Sequence, residues 1–283
     1  MQPGGSNADS EGFTIDLHHL NHLELSEDEK SVRVGPGLKW EKVFGPLMQN
    51  NLTVVGGRDP GVGVGGYLIG GMFSSPLLIL THLTDMDTTG GISFMSYEHG
   101  LGADNILEYE LVTGTGAILH VNEKSYPDLH FAMKLGSTNY GIVTSFTLPT
   151  FPIGPIYSGM QFFEPKEDNS VTLFRQFTDY VDMAAENPKD AAFTHVLYLD
   201  VGGQTYLNML AMAFKGAEVK PPLYRKLIGD VKALEDKMEV TDLMGALNHI
   251  RDDTKFRTVA FSRTLRLDRT GTFFFLLALN THR

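Results

Sequence analysis

The 283-residue chain contains no cysteine. That absence excludes disulfides, thiolate metal centres and a cysteine nucleophile, and it leaves no marker of redox compartment. Long apolar runs are also missing: Pro76 to Leu80 and Phe273 to Leu279 are the longest, and both fall far short of a bilayer span. The opening MQPGGSNADS lacks a basic-plus-apolar signal pattern. No run of lysine or arginine occurs, and a net charge of -11 weighs against nucleic acid or an anionic membrane as a partner. His18, His19 and His22 include an i, i+4 pair, but no third ligand stands at a spacing suited to zinc. No G-x-S-x-G elbow supports a serine triad. A sequon, Asn51-Leu52-Thr53, matters only on the secretory route.

A hydrophobic content of 42% suffices for one large domain or two smaller ones. Glycine is concentrated in one place. Gly56, Gly57, Gly61, Gly63, Gly65 and Gly66 lie within eleven residues, and Gly70 and Gly71 follow. Each interior glycine costs a helix about 1 kcal/mol against alanine, so this density predicts backbone that is not helical and that approaches a ligand closely. Converging N–H groups there suit a pyrophosphate or a planar ring. A run of turns in an all-β region is the plain alternative. Gly61, Gly63 and Gly66 also satisfy G-x-G-x-x-G, with Asp85 about twenty residues on. That dinucleotide motif needs a helix starting inside the glycines, and Gly70-Gly71 stands against one after Tyr67-Leu68-Ile69. Burial of these peptide units in a helix would count against the ligand-loop reading.

Alternation predicts a strand over Phe13–Leu17 paired with Ser31–Gly35 across the acidic turn Ser26–Glu29. Helical spacing runs from Trp40 to Leu52 through Val43, Phe44 and Leu47. Ile106–Val112 and Ala117–Val121 read as a hairpin around Thr113–Gly116, Tyr126–Leu135 as a short helix, and Ile142–Leu148 as a strand. Three prolines between Pro149 and Pro155 mark a domain boundary. Beyond it come a helix over Val171–Ala185 with Phe174, Phe177, Val181 and Ala184 on one face, strands at His195–Asp200 and Tyr206–Phe214, and a long helix over Tyr224–Met244 with Leu227, Ile228, Val231 and Leu234 inward. The fold class is α+β.

Five blocks in order, Pro3–Asp9 with its neighbours, Val62–Gly71, Gly100–Leu107, Tyr126–Leu129 and Asn139–Thr144, closely resemble the FAD-linked oxidases with a p-cresol methylhydroxylase-type flavin domain. That group includes vanillyl-alcohol oxidase and berberine bridge enzyme, and the likeness is strongest to fungal members. It covers nearly all of residues 1–150 and continues more weakly to about Thr264. The resemblance implies an FAD-binding domain over 1–150 and part of a substrate domain with an antiparallel sheet over 151–283. It places Pro3, Gly4, Ser6 and Asn7 in a pyrophosphate loop, and Val62, Gly63, Gly65, Gly66 and Gly70 along the diphosphate and flavin. Gly102, Asp104 and Asn105 would shape the flavin's neighbourhood, and the main chain of Ile142 and Val143 would meet the adenine.

The chemistry implied is hydride removal from an alcohol-like or otherwise activated C–H bond of a small molecule, with dioxygen as acceptor. Four departures qualify it. A first lobe with a flavin-linking histidine is expected to be missing, and Asp59 falls where doubly attached members carry the linking cysteine, so FAD is expected to be held without a covalent bond. Roughly nineteen residues, Met72 to Gly90, separate Gly71 from Gly91 and are either a translated intron or a surface loop. The ending RLDRTGTFFFLLALNTHR does not match the family pattern. The alternative to a flavin-dependent oxidase is therefore a truncated, inactive fragment of that fold unable to bind FAD. No catalytic base is assigned. Tyr198, Tyr206 and His195 lie on expected strands, Asp252 and Asp253 in solvent, and the compartment and oligomeric state stay open.

Overall fold

The computed structural model describes residues 12–70, 90–164, 167–189, 193–200 and 206–249. The expected pyrophosphate loop, the segment 72–89, Asp252, Asp253 and the phenylalanine-rich ending lie outside them. Two compact units divide the described chain, one ending at Ile153 and one beginning at Gly154.

The first unit is built on a five-stranded antiparallel sheet. Its strands are β1 (Leu23–Leu25), β2 (Ser31–Val34), β4 (Glu108–Val112), β5 (Ile118–Asn122) and β6 (Ile142–Pro149), in the order β1-β2-β6-β4-β5. A short ribbon pairs β3 (Leu52–Thr53) with β7 (Phe151–Pro152). Helix α1 (Trp40–Met48) buries Trp40, Val43, Phe44 and Leu47, the face its spacing predicts. Helix α4 (Pro127–Met133) begins on a proline, whose missing N–H costs nothing in a first turn.

The strand expected at Phe13–Leu17 does not form. Asp16 accepts the His18 N–H at 2.9 Å and Leu20 N–H reaches Leu17, so the chain turns there and leaves Phe13 84% and Ile15 53% exposed. β1 takes the place beside β2 instead.

A charged relay crosses the strands. Arg33 donates to Glu110 at 2.8 Å and to Glu24 at 3.4 Å, and Thr144 donates to the other Glu110 oxygen at 2.6 Å. Thr144 is the extra residue of a bulge, because Glu110 pairs with Ser145 while Leu111 pairs with Val143. The Thr144 hydrogen bond, then the Arg33 charge, hold the Glu110 carboxyl below its ordinary value of 4.5. A folded-state value below the unfolded one means that stability is present above about pH 4.5 and drains away as pH falls through the lowered value. Glu110→Gln is therefore expected to flatten the acid limb of the stability–pH curve below pH 4.5, read by urea unfolding. An unchanged acid limb would contradict this assignment.

The second unit holds β8 (Ile156–Phe163), β9 (Phe193–Asp200), β10 (Tyr206–Lys215), β11 (Ala233–Asp236) and β12 (Glu239–Thr241), with β8 central. Tyr157, Phe163, Leu210, Met212 and Phe214 pack with Leu173, Tyr180 and Ala184 of α5 (Glu167–Glu186) and with Leu223, Tyr224 and Leu227 of α6 (Pro222–Ile228). Phe177, Val181 and Ala184 of the expected helical face do pack on this core, joined by Leu173 and Tyr180, and the Phe174 side chain is not among those described. β8 escapes the sequence reading because Ile156 to Gly159 are all buried, which erases the two-residue alternation.

The long helix expected over Tyr224–Met244 is divided among four elements. Gly229, at φ +54, stops α6, and β11, β12 and α7 (Leu243–His249) follow, leaving Leu234 67% exposed. Of the candidate catalytic residues, His195 pairs with Ala211 and Tyr198 with Asn208 on the β9–β10 ladder, and Tyr206 pairs with Asp200.

Candidate functional site

The glycine segment is zipped to the stretch ahead of α1. Trp40 N–H reaches Val62 at 3.1 Å, Glu41 N–H reaches Pro60 at 2.9 Å, Val64 N–H reaches Leu38 at 2.8 Å and Gly65 N–H reaches Pro36 at 3.2 Å. Gly63 bridges Lys39 between two of these bonds, at the position of an antiparallel pair whose own N–H and C=O point away from the partner. Asp59 closes the preceding turn by accepting the Gly61 N–H at 2.7 Å.

From Val64 to Gly70 the glycine-rich chain is a helix, α2. This overturns the expectation that so many glycines bar one, and at the buried Gly70 it counts against the ligand-loop reading, whereas Gly63 lies outside the helix and Gly66 stays exposed on it. Tertiary contacts supply what propensity withholds: Val64 and Leu68 are wholly buried, and a Cβ on Gly65 would stand 3.0 Å from the Pro36 ring. Gly56 and Gly57 lie against the indole of Trp40, where a Cβ would come within 2.5 and 2.6 Å. The helix also removes the objection raised against a dinucleotide motif, but the sheet supplies another: every described strand pair of this unit is antiparallel, without the parallel βαβ crossover the motif needs.

Tyr67, which the sequence reading passed over, joins α2 to the segment that resumes at Gly90. Its hydroxyl donates to the Ile92 carbonyl at 3.0 Å and its ring stands edge-on to Trp40 at 5.0 Å. Gly91 and Gly102 flank the same ring, with Cβ positions 2.6 and 2.7 Å from it. Burial pushes the Tyr67 phenol above its ordinary value and the neighbouring half-buried Arg58 guanidinium below its own. Gly102 and Ala103 N–H groups then reach Gly91 and Gly90, each at 2.8 Å.

Asp104 and Asn105 serve their own loop. Asp104 accepts the Leu101 N–H at 3.0 Å, and the Asn105 amide donates to His99 at 2.8 Å and Leu101 at 2.7 Å, securing the short helix α3 (Ser96–His99). Their polar atoms organise the neighbourhood from behind.

The loop before β6 meets the far end of α2 where Ser137 N–H reaches Ile69 at 3.0 Å. Leu135 at φ +67 and Ser137 at φ +53 hold left-handed backbone, a cost of about 1–3 kcal/mol for residues other than glycine. β2 ends at Val34 opposite Phe146, so no described strand continues alongside Ile142 and Val143 on that edge. The structure thus leaves Val62, Gly63 and Gly66 exposed, and a Cβ on Gly63 or Gly66 meets nothing within 4 Å. Gly65 is half-buried against Pro36, and Gly70 is buried. Pro3, Gly4, Ser6 and Asn7 lie outside the described residues. Gly63 and Gly66 therefore present bare backbone on an open side, with the exposed Val62 side chain beside them, and backbone of that kind permits close approach by a flat or diphosphate-bearing molecule.

An FAD binding domain family matches residues 2–82. Over 254 residues the chain is 31% identical to the FAD-dependent monooxygenase tpcD of Cochliobolus heterostrophus, a match covering 89% of this chain and 44% of that protein. The chain is related to the FAD-linked oxidoreductases. An uncharacterized FAD-linked oxidoreductase of Arthroderma benhamiae is 37% identical over 172 residues, 60% of this chain and 31% of that protein. The chain therefore spans less than half of either relative's length.

Among solved structures, 6-hydroxy-D-nicotine oxidase from Arthrobacter nicotinovorans superimposes with a TM-score of 0.72 at 19% identity, covering 89% of this chain and 52% of that one. The VAO-type flavoprotein MtVAO615 from Myceliophthora thermophila gives 0.63 at 19% identity, covering 84% and 42%. The fold of this chain is thus the α+β fold of VAO-type flavoproteins.

Proposed function

We propose that this chain oxidises a small molecule at an alcohol-like or otherwise activated C–H bond, with dioxygen as the electron acceptor. In this reading residues 1–150 carry the cofactor and 151–283 the substrate. The observation that carries it is the exposed backbone at Gly63 and Gly66, where a Cβ would meet nothing within 4 Å, flanked by the exposed side chain of Val62 and backed by Tyr67. Val62 to Gly66 would lie along the diphosphate, with Pro3, Gly4, Ser6 and Asn7 as the partners the resemblance assigns. The open edge at Ile142 and Val143 would take the adenine. Gly70 and Gly102 would support these surfaces through packing, and Asp104 and Asn105 by fixing the loop behind them. The chemistry FAD supplies when bound is two-electron oxidation of the substrate. Without a thiol, the chain offers no cysteinyl attachment, and we propose that FAD is held without a covalent bond.

A second reading follows from relatives bearing the name FAD-dependent monooxygenase: transfer of one oxygen atom from dioxygen to the substrate, the other leaving as water with two protons and with two electrons drawn from a hydride donor such as a reduced nicotinamide. Labelled dioxygen separates the two, since oxidation leaves no label in the product and oxygenation leaves one atom.

Gly66→Val tests the site itself. A Cβ there meets nothing, and valine improves on glycine slightly in a helix, so urea unfolding of the cofactor-free chain is expected to stay within about 0.5 kcal/mol of the parent. FAD affinity, read by quenching of flavin fluorescence, is expected to fall by more than about tenfold as the branched side chain fills that open side. Flavin released intact by acid precipitation marks the non-covalent state. Undiminished affinity in the variant, or no binding by the parent chain, would reject the assignment.

A further inference from the structure

We infer that Tyr67 is a positioning residue that sets the cofactor-facing surface of α2, an inference that rests on the FAD reading above. The residue follows Gly66 directly, so the two share one turn of the helix. Its side chain is held on three sides. Trp40 meets the ring edge-on at 5.0 Å, Gly91 and Gly102 leave no room beside it for a Cβ, and the hydroxyl donates to Ile92 at 3.0 Å. Those contacts join three stretches far apart in sequence: α1, the glycine helix and residues 90–105. Rotation of α2 would drive the ring into the Gly91 or Gly102 backbone, so the outward direction of Gly66 is locked by the aromatic side chain beside it. The hydroxyl does a different job from the ring. It is the only part of the side chain that ties the Ile92 peptide, and so controls how closely the Gly91–Ser93 stretch follows the helix.

Tyr67→Phe separates these roles, because the ring stays and the hydrogen bond goes. FAD affinity is expected to weaken about three- to tenfold, the range of one lost hydrogen bond. Visible circular dichroism of the bound flavin should change, and without FAD the Gly102 and Ala103 amides should exchange faster. Val121→Ala, at the one wholly buried position of the edge strand β5, serves as a comparison that destabilises the same unit without touching Tyr67. The inference holds if only Tyr67→Phe alters affinity and the flavin spectrum. It fails, with the FAD reading intact, if the parent binds FAD and Tyr67→Phe matches it in affinity, spectrum and exchange, or if Val121→Ala shifts affinity and spectrum to the same extent. A parent chain that binds no FAD overturns both.

Discussion

Trp40→Ala is expected to destabilise the first unit by about 3–5 kcal/mol, enough to unfold much of it at ambient temperature. Trp40 is wholly buried and stacks near Phe44 at 5.5 Å while its other edges meet Tyr67, Gly56 and Gly57. Its indole nitrogen has no hydrogen-bond partner among the described residues, so the loss is one of packing alone. That makes the effect separable: Trp40→Phe keeps most of the buried area, removes an unsatisfied donor, and should cost under about 2 kcal/mol. Urea unfolding monitored by far-ultraviolet circular dichroism checks both variants. A mild Trp40→Ala phenotype would show that the glycine segment does not depend on the indole it lies against.

Gly91→Val is the second large effect, expected at about 2–6 kcal/mol from two additive sources. The backbone there sits at φ +87, which a branched residue resists, and the new Cβ would stand 2.6 Å from a Tyr67 ring that cannot swing away without losing Ile92. The steric part should vanish on a Tyr67→Ala background while the backbone part persists, so a double-mutant cycle by urea unfolding should show coupling of at least about 1 kcal/mol. Gly114→Ala, where a Cβ meets nothing within 4 Å, is the contrast and should stay within about 0.5 kcal/mol. Additive losses in the cycle would mean that Tyr67 and Gly91 do not share the space the geometry assigns them.

Much of the fold is legible in local pattern. The hairpin of β4 and β5, helices α1 and α4, β6 and the β9–β10 pair are each written in a period or a turn signal that needs no distant partner. Where the pattern misleads, a competing local or long-range contact wins. Phe13–Leu17 alternates convincingly yet finds no strand to pair with, and Tyr224–Met244 keeps a helical stripe through Gly229, whose left-handed backbone ends the helix regardless. At the candidate site, the ordered blocks point to residues whose visible contacts are local ones. Asp104 and Asn105 prove to be braces of their loop, and Tyr67, an aromatic residue alone among glycines, goes unremarked although that isolation is its signal.

Composition and motif order by themselves determined the α+β class, the exclusion of thiol chemistry and the kinship with FAD-linked oxidoreductases. Only the tertiary structure decided that the glycine run winds into α2, because the energy that overcomes glycine's entropy comes from Trp40, Pro36 and Gly102. Those contacts join residues between 27 and 35 positions apart in the chain, and a hydrophobic period reports only what lies within a turn or two of itself.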